Sequence, residues 1–170
     1  MSGERSYGAA VTNPDDGRAD FDFLHGSWRV AARRLRDVLD PGSPWIDFEL
    51  AVTARAVLGG LGNHDTCHGP AGPSGGPFEG MTLRLFDPRT RTWRIWWAST
   101  SNPGHLDPPL EGRFDGARGD FRGRDTVAGT DVDVHFRWDA GLDAARWAQA
   151  FSTDGGRSWG TNFTMDFRRV

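Results

Sequence analysis

The sequence predicts an all-β protein: a single antiparallel up-and-down β-barrel of about nine or ten strands, with a short N-terminal helical turn. Apolar and polar residues alternate with period two in several short segments. Clusters of Gly, Pro, Asn and Asp separate these segments by short connections. The 170 residues include 23 Gly and 8 Trp, a composition typical of short strands and tight turns. Closure into a barrel is favoured over a sandwich because it removes exposed strand edges.

The N-terminal residues 1–19 contain almost no bulky apolar side chain, so we expect a flexible tail before one barrel domain over residues 20–170. Residues 21–24 are predicted to form the helical turn. Gly26 supplies a tight bend, and Trp28 then closes one end of the barrel beside a basic residue of the last strand, either Arg168 or its neighbour Arg169. The opening for a ligand is therefore expected at the other end.

Alternating apolar residues or β-rich composition predict the strands that follow. The connections between them are rich in turn residues. The predicted strands lie near residues 46–52, 63–68, 78–87, 93–98, 110–114, 120–127 and 132–138.

The closing hairpin is predicted over residues 146–168, with its turn at 152–159. That turn fits the Asp-box pattern, in which Asp154 accepts hydrogen bonds from backbone amides and Trp159 completes the turn. The role of such a turn is structural. A single copy does not predict a propeller, which needs a repeating blade.

Charge and composition exclude several classes of partner. The net charge is −3 and the arginines are dispersed, so no nucleic-acid partner is expected. The sequence has no long apolar run, and its lone Cys67 cannot form an internal disulfide, which favours a cytoplasmic protein without a membrane partner. A homodimer is possible if Trp96 lies on a flat outer face.

The apolar strand faces are expected to point inward and to line a ligand cavity. Trp96 and Trp97 are adjacent and must face opposite sides of their strand, and we place Trp97 inside. Aromatic walls suit a flat or polycyclic guest, with Gln149 as a polar fixing group. The alternative, that the rings simply fill the interior, stays open. The residues expected to contact a ligand are Phe48, Met81, Leu83, Trp93, Trp97, Phe136, Trp147, Gln149 and Phe163.

Histidines are the candidates for acid–base chemistry. His64 and His68 share one strand face but lie roughly 13 Å apart, too far to bind one metal ion, so no metal site is expected. Either could act as a general base inside a cavity or lie on the surface. His135 is opposite the apolar face of its strand and is expected outside, unless the phase is inverted. Haem is a lesser possibility that needs an interior histidine.

Three blocks of sequence resemble a bacterial lipocalin-like family of calycin-type β-barrels of unknown function. They are residues 21–28, residues 80–97 with their paired tryptophans, and residues 152–159 followed by Phe167 and Arg168. The resemblance covers about residues 21–169 and implies a barrel without an agreed chemistry. We expect binding of a small hydrophobic or aromatic molecule. The alternative is a cofactor-free cyclase or isomerase of secondary metabolism that uses the barrel as a reaction chamber.

Overall fold

The computed structural model describes residues 16–170 as a closed barrel of ten antiparallel strands, each paired with its neighbours in sequence and β10 paired with β1. Two 3-10 turns, Asp22–Leu24 and Leu58–Gly60, are the only helical elements of this part of the chain. This confirms the predicted all-β, up-and-down barrel. The strands are β1 Gly26–Leu35, β2 Trp45–Val57, β3 Gly62–Gly69, β4 Phe78–Asp87, β5 Thr92–Ser99, β6 Leu110–Asp115, β7 Arg118–Val127, β8 Thr130–Asp139, β9 Ala144–Ser152 and β10 Gly160–Arg169.

The register at the seam aligns apolar residues of three strands into one interior layer. Val30 of β1 is paired with Leu50 of β2 and with Phe167 of β10. Directly paired residues place their side chains on the same face of a sheet, so each such row points either into or out of the barrel. All three of these side chains are buried, which shows that this row faces the interior.

The first 3-10 turn inserts aromatic rings into one end of the barrel. Phe21, only 1% exposed, packs edge-on against Trp93 and Phe114 with centroid distances of 5.1 and 5.0 Å. Trp28 is also 1% exposed, and its indole Nε1 donates a hydrogen bond of 2.7 Å to the carbonyl of Leu24. This end of the barrel is therefore closed by packed aromatic side chains.

The basic residue at the closed end is Arg169. Its guanidinium carbon lies 4.1 Å from the centroid of the Trp28 ring, and the two residues are paired across the seam. Arg168, the other candidate, is paired with Arg29 and is exposed, so its side chain alternates to the outer face. Gly26 has a φ of +107°, and a Cβ there would lie 2.9 Å from Nη1 of Arg169.

The expected inward phase of β4 was wrong. Met81 and Leu83 alternate with the buried residues of the strand and lie on the outer face, where Met81 is 40% exposed. The inner face instead carries Thr82 and Arg84, which are paired with Asp65 and Asn63 of β3. Thr82 and Arg84 thus face polar partners inside the barrel, and the apolar side chains of Met81 and Leu83 point outward.

The predicted tail, residues 1–19, lies mostly outside the described residues. Gly17 contacts the barrel, because its carbonyl accepts a hydrogen bond of 2.9 Å from the indole Nε1 of Trp93. Arg18 forms an ion pair with Asp16 within the same segment. Across residues 16–170, no helix is long and apolar enough to cross a membrane. Trp96 lies on the outer face, paired with Leu83, and the homodimer stays a prediction.

Candidate functional site

A cavity of about 400 Å³ occupies the half of the barrel away from Trp28. Val38, which follows the end of β1, lines it, whereas Trp28 lies at the start of that strand. The mouth is bounded by the β5–β6 loop and the β7–β8 turn. The inner end is formed by Trp138 and Phe167, whose rings contact the aromatic residues of the closed end.

Five of the nine residues expected to contact a ligand line this cavity: Trp97, Phe136, Trp147, Gln149 and Phe163. The other four lie elsewhere. Phe48 is in the interior and packs behind Phe163, with the ring centroids 6.0 Å apart. Trp93 belongs to the closed end, and Met81 and Leu83 face outward on β4.

The aromatic side chains of each cavity wall pack against neighbouring residues of the same wall. Trp147 meets Phe136 and Phe163 edge to face, at centroid distances of 4.9 and 5.2 Å. On the opposite wall Trp97 lies over Gly80, where any Cβ would overlap its ring. Such contacts fix the ring positions, so these walls are rigid apolar surfaces.

A charged pair lies buried at the inner end of the cavity. Nη1 of Arg84 donates to the Asp65 carboxylate and, at 2.8 Å, to Oδ1 of Asn63. The Arg84 and Asp65 side chains are 4% and 6% exposed. The guanidinium carbon also lies 4.9 Å from the Phe21 ring centroid and 5.8 Å from that of Trp138. The two charges compensate each other, so this end of the cavity is polar but carries no net charge.

Sequence reasoning missed this cluster, although the sequence carries a signal for it. Asn63 and Asp65 alternate with His64 along β3, and Arg84 interrupts an apolar run in β4. Two polar residues with the period of a strand, followed by an arginine in the next strand, are compatible with a buried compensated pair, because buried charges in proteins are paired.

Gln149 is held in place by the β10 bulge. Its Nε2 donates to Oδ1 of Asn162 at 2.9 Å, and Nδ2 of Asn162 donates to the carbonyl of Val38 at 3.2 Å. Asn162 lies where the β9–β10 register shifts. This network joins the wall of the cavity to the β1–β2 loop at its mouth.

Acid–base groups lie at the mouth. Burial raises the pKa of the Asp107 carboxyl, and the nearby charge of Asp125 raises it further, while His105 opposes the shift. Nε2 of His105 lies 3.7 Å from Oδ1 of Asp107. Arg34 also lines the cavity, and burial lowers the pKa of its guanidinium. Asp107 and His105 therefore place a carboxyl and an imidazole group side by side at the mouth of the cavity.

Cys67 is a buried cavity residue. The thiol is 3% exposed, and burial raises its pKa to about 12. At neutral pH it is therefore a neutral thiol, whereas a nucleophilic cysteine must be a thiolate. Cys67 contributes packing to the cavity wall.

The histidines predicted as candidates lie outside the cavity. His64 and His68 alternate with the buried residues of β3, and His135 does so on β8. Nε2 of His135 lies 3.0 Å from Oδ1 of Asp120, but both are on the outer face. His105, in a loop, is the one histidine among the described residues that line the cavity. No strand in residues 16–170 therefore directs a histidine into the cavity, and haem binding stays a prediction.

The Asp-box turn lies outside the cavity. Asp154 accepts hydrogen bonds from the amides of Arg157 and Ser158, at 3.0 and 2.9 Å, and from the hydroxyl of Ser158. These bonds lower the pKa of Asp154 to about 2. Trp159 donates through Nε1 to the carbonyl of Gly156 and packs against His135.

In residues 16–170, no group of three His, Cys, Asp or Glu side chains is placed to hold a metal ion.

No protein-family model matches this chain, and no curated protein matches it. The function is therefore argued from the geometry of the cavity.

Proposed function

We propose that this protein binds one small hydrophobic or aromatic molecule inside its barrel, as a binding or carrier protein resembling the lipocalin-like barrels. The observation that carries the proposal is the cavity itself, about 400 Å³ between aromatic walls. Cavities of roughly 300–1,000 Å³ with mostly apolar walls and a few polar groups are typical of small-molecule sites.

The position of the cavity supports the same function. One end of the barrel is closed by Phe21 and Trp28, and the cavity begins beyond the rings that pack on them. A guest entering at the loops would be surrounded by wall strands and separated from water at its inner end. Burial of its apolar surface would supply most of the affinity.

Native mass spectrometry of protein purified from its own host tests this proposal. We expect a co-purified small molecule on the wild type. Val134→Phe should lose it, because Val134 lines the cavity and a phenylalanine side chain there takes up part of its volume. Arg137→Phe, exposed on the outer face of β8, is the control and should keep it. Equal occupancy in both variants would place the guest outside the cavity.

A cofactor-free cyclase or isomerase is the second candidate, favoured by the Asp107–His105 pair at the mouth. The raised pKa of the Asp107 carboxyl makes its carboxylate a stronger base than that of an ordinary aspartate. Incubation of the protein with its identified guest should then yield an isomer of the same mass, separable by chromatography. Asp107→Asn should abolish this conversion and leave binding in place. If the guest is recovered unchanged, the enzyme hypothesis fails and the carrier function remains.

A further inference from the structure

We infer that the guest presents an uncharged carbonyl oxygen, conjugated to its rings, to Trp138 and Arg84 at the inner end of the cavity. This rests on the proposed function and names the class of ligand: a flat aromatic ketone or quinone-like molecule.

The inference starts from buried N–H donors that have no acceptor among the described residues. They are Nε1 of Trp138, Nε of Arg84 and Nδ2 of Asn63, in side chains that are all at least nine-tenths buried. Nε2 of His135 is not counted with them, because it lies on the outer face, 3.0 Å from Oδ1 of Asp120. Buried donors without acceptors are costly and rare in folded proteins.

Two of these donors belong to residues that line the cavity, namely Trp138 and Arg84. Their side chains are neighbours, since the Arg84 guanidinium carbon lies 5.8 Å from the Trp138 ring centroid. Both residues line the inner end of the cavity, but their unpartnered N–H atoms are buried below its surface. A small shift of the two side chains would bring these donors to an acceptor on the guest, and satisfying them would favour that shift.

The charge balance determines which acceptor fits. Asp65 already compensates the charge of Arg84, so an anionic guest would gain no net attraction and would lie close to a buried carboxylate. A hydroxyl would bring a proton that needs its own acceptor. A carbonyl oxygen has two lone pairs and no proton, so it can accept from both donors at once.

The walls determine the rest of the molecule. Trp147 meets Phe136 and Phe163 edge to face on one side, and Trp97 lies over Gly80 on the other. A planar ring system between them buries its faces on aromatic surface while its carbonyl reaches the inner end.

A matched pair of probes tests the inference. Fluorene and 9-fluorenone have the same fused-ring frame and differ in a CH₂ against a C=O. We expect 9-fluorenone to bind the wild type about tenfold or more tightly than fluorene, measured by quenching of tryptophan fluorescence.

Trp138→Phe is the diagnostic variant, because it removes the indole N–H and keeps an aromatic ring. It should largely abolish the preference for 9-fluorenone. Trp147→Phe is the control: it trims an indole of the same cavity that is not among the unpartnered donors, and should keep the preference. The infrared carbonyl stretch gives a second readout. It should move to lower frequency on binding to the wild type and less in Trp138→Phe.

The outcomes separate this inference from the function on which it rests. If both probes bind with equal affinity, the cavity binds aromatic molecules but the carbonyl inference is overturned. If neither probe binds, the proposed function fails, and the inference fails with it. A preference that survives in Trp138→Phe with an unchanged carbonyl stretch also overturns it.

Discussion

Arg169 covers the ring of Trp28, with its guanidinium carbon 4.1 Å from the ring centroid. The same guanidinium donates to three backbone carbonyls, those of Phe23, His25 and Leu142, at 2.6–2.8 Å. These carbonyls come from the segment before β1 and from the β8–β9 loop. The Arg169 side chain therefore connects the β1–β10 seam to the N-terminal turn and to the β8–β9 loop at the closed end.

Arg169→Met should lower the free energy of unfolding by about 1–2 kcal/mol, because it removes the cation–π contact and the carbonyl hydrogen bonds. Urea unfolding followed by tryptophan fluorescence measures this. Arg168→Met, at the exposed neighbouring position, is the matched control and should change stability by less than about 0.5 kcal/mol. Equal losses in the two variants would contradict the role given to Arg169.

Gly26→Ala should cost roughly 2–3 kcal/mol, since an L-residue at φ +107° is strained and its Cβ would crowd Nη1 of Arg169. Gly76→Ala is the control because no atom lies within 4 Å of a Cβ there and its φ is not positive. Thermal unfolding of both variants measures the difference. A Gly26→Ala protein as stable as Gly76→Ala would show that the bend tolerates a side chain.

Arg84→Met alone should destabilise the protein by about 3–5 kcal/mol, because it leaves the Asp65 carboxylate buried without its partner. The double variant Asp65→Leu with Arg84→Met removes both charges and should recover most of this loss. A double-mutant cycle in urea measures the coupling. If the double variant is no more stable than Arg84→Met, charge compensation is not what this pair contributes.

Asp154 should titrate with a pKa of about 2 in the folded protein, below its ordinary value of 3.8. Because the folded-state pKa is the lower one, its contribution to stability is complete above about pH 4 and is lost as the pH falls through about 2. An NMR titration of the carboxyl carbon measures this. Ser158→Ala removes the first cause of the shift and should move the pKa toward 3.8. An unchanged value in that variant would contradict the assignment.

The fold could be predicted because its signals are local. Alternation in segments such as 46–52 and 132–138, and turn residues such as those at 152–159, depend on neighbours in sequence. The structure places β2 and β8 at the first two segments, the β9–β10 turn at the third, and the first 3-10 turn at Asp22–Leu24. Gly26 and Trp28 were identified for the same reason, since a bend followed by a large aromatic side chain is a local pattern.

The cavity could be predicted only in part, because it depends on which face of each strand points inward. Trp97 and Phe136 lie on strands whose inner face is apolar, and the apolar pattern identified them. Met81 and Leu83 were assigned to the wrong face because Arg84 is buried, and its partner Asp65 lies on another strand. The period-two polar residues Asn63 and Asp65 of β3 do not show which face points inward, because the arginine that pairs with them lies on the next strand. Sequence reasoning therefore missed the donors at the inner end as well.

Equilibrium titration with the neutral probe N-phenyl-1-naphthylamine tests the central claim, that the barrel interior binds a small aromatic molecule, most directly. The account predicts saturable binding of one probe per barrel for the wild type and for Arg137→Phe, and at least about tenfold weaker binding for Val134→Phe, whose side chain fills the cavity. Probe binding of equal strength in all three proteins would contradict it.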